Sequence, residues 1–150
     1  VPDSPGEGSR FSADLYELYE VAQNDLRPLA EQYSGYSAKV DQTTAFNLDP
    51  APVAGVMSRG SGIFRSGSAL LALRDDVQYA FAKSSENIEA AATTLIEVAE
   101  NYAGADDETQ SDFNALLAEG FPDGEEPGTP PRPPVYPDGS RNQGRPVPED

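Results

Sequence analysis

The sequence predicts an all-α fold, an antiparallel helical hairpin of two long helices, and three observations predict it. From Leu70 to Tyr102 an apolar residue recurs at alternating steps of four and three. Upstream, a second stripe from Phe11 to Val40 falls close to multiples of 3.6 residues. Between these stripes the composition turns to Gly, Pro, Asn and Asp, and beyond Phe121 no apolar period returns. Short extra helices and an acidic, Pro-rich C-terminal tail complete the expectation.

The chain has 150 residues, enough for one small domain. Residues 1–10 are mostly Pro, Gly, Ser and charge and are expected to be disordered. The helical hairpin is expected over residues 11–120. From Phe121 onward no apolar period returns, so residues 121–150 are expected to form a disordered Pro/Gly-rich tail that cannot offset the entropy of ordering.

The first helix carries Phe11, Leu15, Leu18, Ala22, Leu26, Leu29, Tyr33, Tyr36 and Val40 on one face. Ser9 or Ser12 is its expected start, with Asp14 in the first turn. Pro28 removes one backbone hydrogen bond, which predicts a kink near Leu26 or two shorter helices sharing a face. Gly35 is a second weak point, and fraying is expected between Gly35 and Asp41.

Residues 41–67 are rich in turn formers, including Asp49-Pro50 and Gly55, Gly60, Gly62 and Gly67. Asp49 is placed to cap one or two extra turns carrying Val53, Val56 and Met57. Ser61, Ser66 and Ser68 are rival caps for the main second helix.

That helix holds Leu70, Val77, Phe81, Ile88, Ala91, Leu95, Val98 and Tyr102 in one register, broken at Arg74 and Ser84. At 1.5 Å per residue the span is about 50 Å. A narrow seam of this kind requires a second helix against it. After Tyr102, two readings stand. Either Gly104 stops the helix and Asp106-Asp107-Glu108 opens a short third helix with Phe113, Leu116 and Leu117, or the second helix runs through Gly104.

Two helices alone bury few side chains, and Tyr16, Tyr19, Val21, Leu71, Leu73, Tyr79 and Ile96 widen the stripes beyond a single seam. This favours docking onto a second hairpin as a four-helix bundle, with Leu15, Leu18, Leu26, Leu29, Leu70, Val77, Phe81, Ile88, Leu95 and Val98 as the partner-binding residues. The alternative is that the extra apolar residues pack on the loop and the short third helix.

Composition excludes several function classes. The net charge of −16 and pI near 4.1 argue against a nucleic-acid or anionic-membrane surface. No apolar run approaches the roughly 18 residues of a transmembrane span, so no membrane insertion is expected. No basic region followed by an apolar core opens the chain, so Sec export is not expected. Zero His and zero Cys remove imidazole and thiolate chemistry, and no Gly-rich loop with Lys is present to cradle phosphate. Asp75, Asp76, Glu86, Glu89, Glu97 and Glu100 lie at helical spacings but lack the His that completes a bundle metal site. No enzyme activity, cofactor or metal is expected.

An acidic helical hairpin without Cys, whose second helix ends Asn87-Ile-Glu-Ala-Ala-Ala-Thr-Thr-Leu-Ile-Glu-Val-Ala-Glu-Asn-Tyr-Ala-Gly-Ala-Asp106, resembles the small WXG-type (ESX) proteins exported by type VII secretion systems. The resemblance covers residues 11–108 in architecture and the second helix in detail. Tyr16 with Glu20 supplies another Tyr-x-x-x-acid match, but only Tyr102 closes the second stripe. The chain has no Trp, and Gly62-Ile-Phe-Arg-Ser-Gly67 stands nearest to the family's Trp-x-Gly turn, with Phe64 as the aromatic. It is therefore similar to the divergent, secretion-associated branch. The resemblance implies pairing with a second helical-hairpin protein, and it implies that Tyr102 and Asp106 contribute to recognition by the secretion machinery. It further implies a secreted or cell-surface location reached without a signal peptide. If Tyr102 and Asp106 share a helix, one turn places them on the same face. The alternatives are a cytoplasmic adaptor or chaperone, and a self-associating structural bundle.

The tail run Pro130-Pro-Arg-Pro-Pro-Val-Tyr-Pro137 favours polyproline II and resembles ligands of small Pro-binding modules, or else serves as an extended spacer.

Overall fold

Apolar periods of 3.6 residues become helix throughout the computed structural model, which describes residues 7–43, 61–121 and 126–137, the side chains of residue 7 and residues 61–68 excepted. Among the described residues there is no strand. The elements in order are α1 (Glu7–Glu20), a π-helical turn (Val21–Leu26), α2 (Arg27–Gln42), α3 (Ser61–Ala103) and α4 (Asp107–Glu119). They divide between two compact units. Unit 1 is Val1–Glu31 with Asn87–Pro131, and unit 2 is Gln32–Glu86 with Arg132–Asp150.

Helix α1 starts at Glu7, earlier than Ser9, so residues 7–10 are helical where disorder is expected. Pro28 leaves its mark one turn upstream. The Arg27 N–H reaches back to Ala22 O, five residues away, and the chain widens into a π-helical turn. Helix α2 then continues past Gly35 to Gln42, with Lys39 in its last turn, so the fraying expected from Gly35 is absent. Helix α3 begins at Ser61, which makes Gly62 and Gly67 helical instead of turn residues. The turns expected around Asp49 to Met57, and the choice of cap among Ser61, Ser66 and Ser68, lie outside the described residues and side chains.

Helix α3 ends at Ala103, in favour of the Gly104 stop, and the Gly104 N–H still bonds Glu100 O at 3.0 Å. Asp106 then caps α4 in an extended conformation (φ −142°, ψ 131°). Gly120 closes α4 at φ 80°, a left-handed position that favours glycine, and its N–H bonds Leu117 O.

The core of unit 1 gathers Leu15, Ala99, Ala103 and Phe113, with Tyr16, Tyr19 and Leu117 packed against it. Helices α1 and α4 pack together here. In unit 2 the buried side chains include Ser34, Ser37, Gln78, Ala82 and Ser85, with Val135 and Tyr136.

The buried positions correct the expected seam. On α3 the expected Val77, Phe81, Ala91, Val98 and Tyr102 give way to Gln78, Ala82, Ala92, Ala99 and Ala103, each one residue later. The upstream helices repeat the offset, with Ser12, Ala30, Ser34 and Ser37 buried beside Phe11, Leu29, Tyr33 and Tyr36. One residue is a rotation of about 100° about the helix axis. Small side chains let neighbouring backbones approach closely, toward the short end of the usual 8–10 Å or so between axes. The larger side chains are turned to the flanks.

The tail corrects a second expectation. Residues 126–137 lie against the helices without regular structure of their own, and Val135 and Tyr136 are each only 3% exposed. Disorder from Phe121 onward therefore does not hold for these residues. Pro restricts its own backbone before folding, so ordering a Pro-rich run costs less conformational entropy than its composition implies.

Candidate interaction surfaces

In unit 1, the ends of α1 and α3 leave large apolar side chains outside. Phe11 and Tyr102 meet edge to face at 6.4 Å between ring centroids, and both are exposed, Tyr102 by 58%. Leu18, Val21 and Leu29 are also exposed. Phe11 and Leu18 are two helical turns apart and share a face. Of the other residues assigned to partner binding in this unit, Leu15 is in the core, while Leu26, Ile88, Leu95 and Val98 are half-buried.

Arg27 organises the inner side of this unit. Its Nη1 donates to Gln23 Oε1 at 2.8 Å and to Gly128 O at 2.9 Å, and its Nε lies 3.4 Å from Glu89 Oε1 as an ion pair. Gln23 in turn donates from Nε2 to Tyr19 Oη at 3.2 Å. None of these roles carries a hydrophobic signal, so periodicity does not find them.

Beside the unit 1 core is a cleft of about 330 Å³ lined by Tyr16, Tyr19, Leu117, Gly120, Phe121 and Pro127. Tyr19 sits edge-on to Phe113 at 6.0 Å and stacks on Phe121 at 6.2 Å. The Tyr16 hydroxyl donates to Gly120 O at 2.9 Å. Partial desolvation, together with the negative charges of Glu20 and Glu119, raises the Tyr16 pKa above its ordinary value.

Tyr102 and Asp106 do not share a helix. Tyr102 is in the last turn of α3, whereas Asp106 lies beyond Gly104 at the start of α4. The Asp106 carboxylate accepts from the Thr109 N–H at 3.0 Å and from the Thr109 hydroxyl at 3.1 Å. The backbone N–H of Thr109, then its hydroxyl, favour the charged form and hold the Asp106 pKa below the ordinary carboxylate value. Asp106 thus has a structural duty as a helix cap. The same-face arrangement expected from one continuous helix is corrected by the Gly104 stop.

In unit 2, Leu70 and Leu73 are 51% and 58% exposed, and Val77, Tyr79 and Tyr36 are exposed as well. Leu70, Leu73 and Val77 follow steps of three and four and line one face of α3. Phe81 is half-buried, its ring 6.0 Å from Tyr33 and 5.4 Å from Tyr36. The Lys39 ammonium lies 5.6 Å from the centroid of the Tyr36 ring, within cation–π range.

A polar clamp in the same unit holds the tail. Ser34 Oγ donates to Arg132 O at 2.7 Å, and Ser37 Oγ accepts the Val135 N–H at 2.9 Å. Gln78 Nε2 donates to Val135 O at 3.1 Å and to Asp41 Oδ1 at 3.2 Å. Tyr136 lies edge to face on Tyr79 at 5.5 Å. Gln78 is fully buried, and its Oε1 has no hydrogen-bond partner among the described residues. The sequence signal for this clamp is weak: two serines and a glutamine at helical positions, and two apolar residues enclosed by prolines.

Among the described residues no three Asp or Glu side chains converge as a metal-binding group, and no helix is long and apolar enough to cross a membrane. Comparison with protein-family models, curated proteins and solved structures finds no match for this chain.

Proposed function

We propose that this chain is a non-enzymatic helical hairpin that docks onto a second helical-hairpin protein and travels by a type VII export route as a substrate or associated component. The observation that carries the docking part is the separation of small from large side chains. Ala and Ser fill much of the buried seams, while Phe11, Leu18, Leu29, Leu70, Leu73, Val77 and Tyr102 remain exposed. Within each unit these exposed apolar side chains group on a helix face, Phe11 and Leu18 on α1 and Leu70, Leu73 and Val77 on α3, and grouped exposed apolar side chains mark interaction sites.

Contact order within each unit supports the antiparallel hairpin. Phe11 meets Tyr102 and Arg27 meets Glu89 in one unit. Tyr33 meets Phe81 and Asp41 meets Gln78 in the other. In each case the first number rises as the second falls. The export part rests on the resemblance of the α3 terminus to the family's signal and on the exposure of Tyr102.

Two measurements test the reading. Light scattering on the full chain alone and on the chain purified from its own cells is expected to show, in at least one of the two preparations, a complex larger than the 16.0 kDa chain. Leu73→Asp is expected to weaken that complex at least tenfold while the helical circular dichroism is retained. A monomer in both preparations sinks the docking reading. For export, Tyr102→Ala is expected to keep the chain inside the cell. Asp106→Ala and Asp106→Asn separate the two duties of Asp106, because Asn preserves the cap but not the charge. If all three variants reach the medium as well as the parent, the address reading is wrong.

A further inference from the structure

The clamp in unit 2 reads a peptide backbone. Val135 offers an N–H and a C=O, and each is met by a buried side chain, Ser37 Oγ for the donor and Gln78 Nε2 for the acceptor. Both receiving groups are oriented from behind. The Ser37 hydroxyl spends its own proton on Ser34 O at 2.7 Å, which leaves its oxygen to accept. The second Nε2 proton of Gln78 goes to Asp41 Oδ1, which fixes the amide so that nitrogen, not oxygen, faces the Val135 carbonyl.

The bound segment is suited to such a reader. Pro133, Pro134 and Pro137 have no N–H, so within 133–137 only Val135 and Tyr136 can donate. Their fixed φ angles lower the entropy lost on binding. The Val135 and Tyr136 side chains are both buried, and Tyr79 supplies an aromatic wall for Tyr136. Ser34 adds a third contact, again to backbone, at Arg132 O. These three hydrogen bonds each use a main-chain group of the tail, with shape selecting an aliphatic residue followed by an aromatic one.

We propose that this groove between α2 and α3 is a peptide-binding site for a Pro-Pro-aliphatic-aromatic segment of a second polypeptide, and that residues 132–136 are a tethered occupant competing for it. Main-chain recognition transfers to any segment with the same pattern. Among the described residues the tethered copy leaves Gln78 Oε1 without a hydrogen-bond partner. A tether acts at an effective concentration on the order of millimolar, which keeps the parent groove closed to weak competitors.

The test uses the full chain and a fluorescent synthetic peptide of residues 130–137, read by anisotropy. Val135→Asp places a charge in the buried pocket and is expected to unseat the tether. This variant should bind the peptide at least tenfold more tightly than the parent does. A control peptide with Pro at the Val135 position lacks the N–H and should bind the variant at least tenfold more weakly. Adding Ser37→Ala to the variant should weaken binding of the unmodified peptide. The proposal is overturned if the variant, with helicity intact, binds no better than the parent, or if it binds both peptides equally. It is also overturned if Val135→Asp melts the helices, because the segment is then part of the fold and not a displaceable ligand.

Discussion

At the scale of single residues, Asp106 shows how one side chain is claimed by two roles. Its carboxylate accepts from both donors of Thr109, and its pKa is held below the ordinary value of 3.8. A carboxyl whose folded pKa is depressed stabilises the fold above its unfolded pKa, and that contribution is lost as pH falls through the folded value. Acid is therefore expected to loosen the start of α4. The Thr109 amide resonance should titrate with a midpoint below 3.8, and amide exchange across Thr109 and Gln110 should rise as that midpoint is passed. Asp106→Asn should abolish the titration while keeping slow exchange at neutral pH. A Thr109 midpoint at or above 3.8 contradicts the capping geometry. The acidic run 106–108 made a helix start legible in the sequence, but with Asp106 expected inside the first turn instead of at the cap, and Gly104 left both readings open because Gly is also tolerated inside helices at modest cost.

At the scale of elements, the helices themselves were legible and the rotation of their buried faces was not. Periodicity locates a stripe of large apolar residues, and here that stripe runs parallel to a stripe of Ala and Ser offset by one position. Ranking by hydrophobicity selects Phe81 and Val98, whereas close helix packing selects Ala82 and Ala99. The prediction is asymmetric. Ala92→Leu adds bulk at a fully buried site and is expected to cost about 1–3 kcal/mol in urea or thermal unfolding. Leu73→Ala removes more apolar surface from the sequence, yet it is expected to change stability by no more than about 0.5 kcal/mol, since Leu73 is exposed. Equal effects for the two variants reverse the assignment of faces. The π-helical turn was half legible: Pro28 announces a lost hydrogen bond, but whether the chain bends, breaks or widens depends on what packs nearby.

At the scale of the whole molecule, a net charge of −16 opposes any association of this chain with itself or with another acidic protein. If the exposed apolar faces dock onto a self-repelling partner, salt should strengthen the complex. Raising ionic strength from about 0.05 M to about 0.5 M shortens the screening length severalfold, and the dissociation constant is expected to fall several-fold over that range by analytical ultracentrifugation. Weakening with salt would point instead to a basic partner. The tail was the least legible part of the molecule, because composition counts prolines as unable to bury themselves and overlooks that Val135 and Tyr136 are buried through contacts with Ser37, Gln78 and Tyr79.

The widened turn in unit 1 has a consequence of its own. Gln23 O has no donor along the helix, because the Arg27 N–H is committed to Ala22 O and Pro28 has none to give. Gly128 rests directly over this carbonyl, where even a methyl group would collide with Gln23 O. What registers the returning chain at that point is thus an omission, a residue without a side chain matched to a proline without a hydrogen. Two positions a hundred residues apart in sequence are bound into one constraint, and neither is free to drift without the other.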